Sequence, residues 1–228
     1  MPRPTVVTFD AGQTLIELDL DFLAKRVAMC DVVVDPDALR SAEAAAWRHY
    51  DTLVARGELD HPALWRALMQ YELSAAGASG DLAAAASWLY EQQPVANVFR
   101  RPIPGMVELA RELAGQGVRM AVVSNSEGAL AELLAEIGIA DAFEVIVDSG
   151  RLGIAKPDPR IFEHVLAELG VRDGDRVHVG DSWSADVQGA LAAGWRAVWF
   201  GRTARPVDDP RVASARDAAE LRVALGLA

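Results

Sequence analysis

Five short apolar runs constrain this chain more than any other feature: Thr5 to Phe9, "VRMAVVSN" at 118–125, "FEVIVDSG" at 143–150, "RVHVGD" at 176–181 and "RAVWFG" at 196–201. The last four each close on Gly, Ser, Asn or Asp, and the first runs into Asp10 beside Gly12. Apolar, β-branched runs of this length are the pattern of strands covered on both faces. Helical patterns lie between them. "PGMVELARELAGQG" places Met106, Val107, Leu109, Ala110, Leu113 and Ala114 on one face and stops at Gly115 and Gly117. "DPRIFEHVLAELG" repeats the form, with Asp158 as the expected cap and Pro159 in the first turn. Strand and helix in alternation imply an α/β fold, a doubly wound parallel sheet with helices on both faces.

Residues 16–98 interrupt that rhythm with helical periodicity and no strand alternation. Asp35–Pro36 starts a helix whose Leu39, Glu43, Ala46, Trp47, Tyr50, Leu53 and Val54 mark a mostly apolar face, ending at Gly57. Asp60 and Pro62 start a second, carrying Leu64, Trp65, Leu68, Met69 and Leu73, and "GDLAAAASWLYEQQP" reads as a third. The expected organisation is a core of residues 1–15 and 99–228 interrupted by an all-helical unit of residues 16–98. Trp47, Trp65 and Trp88 are expected to form the small core of that unit.

Charge narrows the function. A net charge of −11 gives no basic field for a nucleic-acid backbone or an anionic membrane surface, so the expected partner is a small molecule. No apolar run approaches the roughly 20 residues of a membrane span. One cysteine, Cys30, precludes an internal disulfide, and "MPRPTVVTFD" lacks the apolar core of a secretory signal. The expected location is the cytoplasm, with Cys30 a buried small hydrophobe.

In a parallel sheet the carboxyl ends of all strands share one rim. On that rim Asp10, Ser124 with Asn125, Lys156 in "GIAKPDPRIF", and Asp181 with Asp186 in "HVGDSWSADVQGA" can converge. Of the 22 basic residues only Lys25 and Lys156 are lysines, so Lys156 departs from the chain's own habit. Together the set could transfer a phosphoryl group. The Asp10 carboxylate attacks phosphorus, a Mg²⁺ ion held by Asp10, Asp181, Asp186 and a backbone carbonyl offsets the charge, and Ser124 and Lys156 hold the phosphoryl oxygens. Each residue also has a plainer reading: Asp10 as a turn residue, Asp181 as the cap of a helix near Ser184, Ser124 as a turn former, Lys156 as a solvated charge. His178 reads as a core histidine, and Trp183 as core or as a wall of the site entrance.

"FDAGQTL", "VVSNSEG", "KPDPRIF" and "GDSWSADVQGA", in that order and spacing, resemble the motifs of the haloacid dehalogenase superfamily, which is mostly phosphatases. The helical insertion resembles that family's substrate-selecting cap. The resemblance implies Asp10 as nucleophile, Ser124, Asn125 and Lys156 around the phosphate, Asp181 and Asp186 as Mg²⁺ carboxylates, and the Gly12 carbonyl as a backbone metal ligand. It also exposes a departure. Family phosphatases carry a second Asp, an acid and base, where this chain has Gly12, and general acid–base catalysis supplies about 10² to 10⁴ in rate. The expectation is therefore a Mg²⁺-dependent phosphatase acting on a small phosphorylated metabolite, handicapped on poor leaving groups, with Gln13 or a residue of the helical unit positioning water. The rivals are a phospholigand-binding protein without turnover, a phosphonatase-like enzyme using Lys25, and a dehalogenase. The last two fit less well, since Lys25 reads as a solvated helix charge and the metal carboxylates are intact.

Overall fold

The computed structural model describes residues 4–57 and 59–227. Residues 1–3 of the amino-terminal stretch read above for a signal lie outside the described residues. The chain divides into two compact units, Met1–Glu17 with Phe99–Ala228, and Leu18–Val98.

The first unit is built on a six-stranded sheet. Its strands are β1 (Val6–Phe9), β4 (Arg119–Ser124), β5 (Val145–Asp148), β6 (Arg176–Gly180), β7 (Arg196–Phe200) and β8 (Val212–Ala215). They lie in the order β5-β4-β1-β6-β7-β8, every pair parallel. The pleat sends alternate residues to opposite faces. Val7, Phe9, Met120, Val122, Val177, Val179, Val198 and Phe200 meet α5 (Met106–Gly115), α6 (Leu130–Glu136) and α10 (Ala218–Ala224) in one buried layer. Val6, Ala121, Val123, Val147, Ala197 and Trp199 meet α8 (Arg160–Leu169) and α9 (Gln188–Ala192) in the other. The expected doubly wound parallel sheet is thus observed. A short helix, α7 (Ser149–Leu152), follows β5 directly.

Three strands and part of the helix capping escape the sequence. β8 extends the sheet at its edge, and β2 (Ile16–Leu18) pairs with β3 (Phe99–Pro102) in a small ribbon where the chain leaves the first unit and returns. The helix after "KPDP" begins at Arg160, so Asp158 binds the Arg160 N–H at 3.0 Å from just outside the helix rather than standing at its N-cap.

The second unit is helical: α1 (Leu20–Val27), α2 (Pro36–Arg56), α3 (His61–Ala75) and α4 (Leu82–Glu91). Asp19, Asp35, Asp60 and Asp81 each cap one of them by accepting a backbone N–H, as Asp does where the first turn leaves donors unpaired. Leu39, Ala42, Ala46, Trp47, Trp65, Leu68, Met69, Leu73, Ala85, Ala86 and Leu89 are buried. The apolar face read for α2 is buried only in its first half, because Val54 is exposed beyond the part of α2 that packs. Trp88 is partly open, with the Arg26 guanidinium 4.5 Å above its ring. Cys30 is half-buried in a one-turn 3₁₀ helix rather than fully enclosed, and Lys25 is exposed.

Candidate active site

Register brings the rim residues together. Phe9 pairs with Val122 on one side and Val179 on the other, so Asp10 stands one residue past the pairing, level with Val123 and Gly180 and one residue short of Ser124 and Asp181. The chain adds β4 and β5 on one side of β1 and β6 to β8 on the other. Asp10 therefore ends the strand where the winding reverses, the place at which open α/β sheets bind ligands.

Lys156 joins the set from the loop before α8. Its ammonium is buried and bonds Asp10 Oδ1 at 2.7 Å and Asp186 Oδ1 at 2.5 Å. The solvated-charge reading of Lys156 is thereby excluded. Asn125 holds that loop in place: its Nδ2 donates to the Lys156 carbonyl at 2.9 Å and its Oδ1 accepts the Lys156 N–H at 2.8 Å. The sequence reading put Asn125 against substrate, whereas here both ends of its carboxamide are taken up by the Lys156 backbone. Ser124 is buried at the end of β4.

Asp186 is the most strongly held carboxylate. Besides Lys156, its Oδ1 meets His178 Nε2 at 3.0 Å and its Oδ2 accepts the Ser182 N–H at 2.8 Å. His178 is fully buried in β6, and its Nδ1 lies 2.8 Å from Thr8 Oγ1. Burial pushes the imidazole below its usual range, so the ring is neutral, with Nε2–H donating to Asp186 and Thr8 donating to Nδ1. His178 is a core histidine, as read, but one that also orients a site carboxylate. The sequence carries one signal for this, a histidine two residues before the "GD" pair on a strand pointing at the rim. Gly180 belongs to the same arrangement: a Cβ there would collide with Cβ, Cγ and Oδ2 of Asp186. Glycine leaves the space in which the carboxylate lies against the strand.

Asp186 follows Ser182, whose side chain caps the π-helical turn Trp183–Val187 by accepting the Ala185 N–H at 3.2 Å. The cap read for Asp181 is therefore made by Ser182, and Asp181 faces Asp10 and Asp186 instead. Trp183 packs on Trp199 with centroids 4.9 Å apart, in the layer under α8 and α9. A further carboxylate the sequence did not single out, Asp148, ties the loop after β4 to β5 by accepting from Gly128, Leu130 and Gly150.

One oxygen each from Asp10, Asp181 and Asp186 lies within 4.8 Å of the others. Lys156 bonds two of these carboxylates, Asp10 and Asp186, and not the third. Burial, then the neighbouring Asp186 and Asp10 charges, push Asp181 well above the usual carboxylate range. Burial also raises Asp10, with Lys156 pulling the other way. For Asp186 burial is outweighed by the Lys156 and His178 contacts, which hold it below the usual range. Burial alone would lower Lys156, but Asp10 and Asp186 more than offset it and raise it. A buried cluster with surplus negative charge and hard oxygen donors fits a divalent cation such as Mg²⁺. Thr14 Oγ1, Ser126 Oγ and Gln13 Nε2 are buried without a hydrogen-bond partner among the described residues, which fits a polar ligand.

Comparison with known proteins agrees with this architecture. Residues 4–194 match the family model for haloacid dehalogenase-like hydrolases. The phosphoserine phosphatase of Thermus thermophilus is 41% identical over 98 residues, covering 42% of this chain and 39% of that enzyme. The chain thus spans about two fifths of that relative's length. The haloacid dehalogenase-like hydrolase domain-containing protein 3 of Mus musculus is 29% identical over 83% of this chain and 78% of its own. Among solved structures, the HAD-hydrolase YfnB of Bacillus subtilis, bound to magnesium, superimposes over 98% of this chain and 99% of its own with a TM-score of 0.68 at 20% identity, a likeness of fold.

Proposed function

The chain belongs to the haloacid dehalogenase-like hydrolase family, and on that premise we propose that it is a Mg²⁺-dependent phosphatase of a small phosphorylated metabolite that works through an aspartyl phosphate on Asp10. The observation that carries this reading is the Asp10–Lys156–Asp186 chain of contacts, 2.7 and 2.5 Å long, beside Asp181. The helical unit of residues 18–98 serves as the cap in this reading.

Asp10 is the nucleophile. Lys156 fixes its carboxylate, and the same ammonium is at hand for the phosphoryl oxygens once one of its carboxylate contacts gives way. Ser124 supplies a hydroxyl to those oxygens, and Asn125 positions Lys156 through its backbone. Mg²⁺ would be held by Asp10, Asp181, Asp186 and the Gly12 carbonyl, and when bound would offset the charge of an anion attacking an anion. His178 and Ser182 keep Asp186 in the orientation that this requires.

In the first displacement the Asp10 Oδ–P bond forms as the bond from phosphorus to the leaving oxygen breaks. In the second, water attacks phosphorus and the carboxylate is released. With Gly12 in place of an acid, the leaving oxygen receives no proton from the position where relatives of this type carry Asp, so acyl and aryl phosphates are the favoured substrates. The relatives named for phosphoserine and phosphoglycolate phosphatase activity support phosphate monoesters as the class.

The test is phosphate release from 4-nitrophenyl phosphate and acetyl phosphate with and without Mg²⁺, beside Asp10→Asn of matched melting temperature. Turnover that needs Mg²⁺ and disappears in Asp10→Asn is the expected result. Binding of Mg²⁺ and inorganic phosphate without turnover by the parent protein would instead establish a phospholigand-binding protein.

A further inference from the structure

Gln13 follows Gly12 directly, and its surroundings are unlike those of an ordinary turn residue. Its φ is 57°, in the left-handed region that a side chain other than Gly, Asn or Asp enters at a cost. Glycine would be relaxed there, so the backbone gives no reason for a glutamine. The side chain does. Nε2 is buried with no hydrogen-bond partner among the described residues, whereas buried donors are nearly always paired.

The other end of the carboxamide is fixed. Arg202 Nη1 donates to Gln13 Oε1 at 3.3 Å. A guanidinium has only donors, so this contact decides which end is oxygen and turns the NH₂ group away from Arg202. The turn that carries Gln13 and the strand end that carries Asp181 both border Gly201: the Gln13 backbone carbonyl and Asp181 Cβ lie 3.8 and 3.9 Å from the position a Cβ on Gly201 would take. An oriented, unused donor thus sits in the turn that follows Asp10, one residue from the missing acid.

We propose that Gln13 is a catalytic residue, its Nε2 donating a hydrogen bond to the oxygen that leaves phosphorus. This rests on the reading of Asp10 as nucleophile and adds how the reaction proceeds without an acid at position 12. As the Asp10–P bond forms, the P–O bond to the leaving group breaks and its electron pair stays on that oxygen. The carboxamide stabilises the resulting anion and keeps both its protons; solvent water supplies the proton that completes the alcohol or phenol. In the second step the water oxygen bonds to phosphorus, the acyl phosphate O–P pair returns to the Asp10 carboxylate, and the water's proton passes to solvent. A donor of this kind acts in proportion to the charge and basicity of the leaving oxygen. It matters little for an acyl phosphate and most for a phenyl or alkyl ester.

The experiment compares the parent protein with Gln13→Gly and Gln13→Ala, in Mg²⁺, by kcat/KM on acetyl phosphate, 4-nitrophenyl phosphate and phenyl phosphate, with melting temperatures alongside. Gln13→Gly relieves the left-handed backbone, so it is expected to melt at or above the parent. The expected activity loss is at least about tenfold on phenyl phosphate, smaller on 4-nitrophenyl phosphate and within about twofold on acetyl phosphate, as for loss of one preorganised donor. Equal losses on all three substrates, or none, with the parent active, overturn the role of Gln13 alone. No phosphate release by the parent from any of them overturns this role together with the phosphatase reading.

Discussion

Returning a carboxylate to position 12 tests what the site lacks. The structure gives Gly12→Asp unusual freedom. Apart from its two chain neighbours, no heavy atom of the described residues lies within 4 Å of a Cβ built at Gly12, and its φ is outside the left-handed range. The substitution therefore needs no rearrangement of the backbone, and loss of glycine's freedom in the unfolded chain favours the variant by about 0.4–1 kcal/mol. Against this stands charge. The new carboxylate joins Asp10, Asp181 and Asp186 with Lys156 as the shared cation. Two like unit charges 4 Å apart near a protein surface repel by about 4 kcal/mol, so the metal-free variant is expected to melt below the parent and to recover in Mg²⁺. The same repulsion raises the pKa of the added group and suits it to donate a proton. General acid–base catalysis is worth about 10² to 10⁴ in rate. Because the surroundings of the new group are not tuned for it, the expected gain in kcat/KM on phenyl phosphate is at least about tenfold, or about 1.4 kcal/mol of barrier. On acetyl phosphate the gain is near zero. An unchanged rate on phenyl phosphate, in a variant that melts normally in Mg²⁺ and binds the ion, would refute the idea that the missing acid limits turnover.

Two further outcomes follow from packing and burial. Gly180→Ala forces the Asp186 side chain off the strand it lies against, and the expected result is at least about tenfold weaker Mg²⁺ binding by calorimetry, as for loss of an oriented ligand, with the fold retained by circular dichroism. Glu72, fully buried in α3 with neither carboxyl oxygen hydrogen-bonded among the described residues, is pushed by burial, and then by Glu43, from its ordinary 4.5 up to about 8. The folded protein holds this proton where the unfolded chain has lost it, so its contribution to stability falls as pH rises from about 4.5 to about 8. Glu72→Gln removes that loss. The variant should gain on the order of 2 kcal/mol over the parent at pH 8.5 and little at pH 4.5 in urea unfolding, and equal stabilities at both pH values would show that Glu72 ionises normally.

Much of the fold is written locally. Buried parallel strands need continuous apolar runs and amphipathic helices need a 3.6-residue period, so five strands and the main helices of both units can be read without any long-range information. The same logic puts Asp10, Ser124 and Asp181 on one rim, because a parallel sheet sends every strand end of one polarity to one side, and Lys156 and Asp186 reach Asp10 from the segments before α8 and after β6. Asp starts ahead of α2 and α3 were legible too, since capping involves only the next two or three residues.

What the tertiary structure alone decided are the features whose partners lie far along the chain. β8 carries a short, mixed sequence and is a strand only because β7 offers an edge to pair with. β3 reads Phe-Arg-Arg-Pro and pairs because the returning chain meets β2. Asn125 reads as a substrate contact by position, yet its carboxamide closes on the Lys156 backbone 31 residues away. His178 reads as core and is core, but Asp186 reaches back across the end of β6 to bond it, in space that Gly180 leaves open. Gln13 owes its orientation to Arg202, 189 residues later. Local propensity and periodicity fix where strands end and which residue types stand there; which of those side chains bond each other, and which donor remains unpaired, depends on contacts that exist only after the sheet has formed.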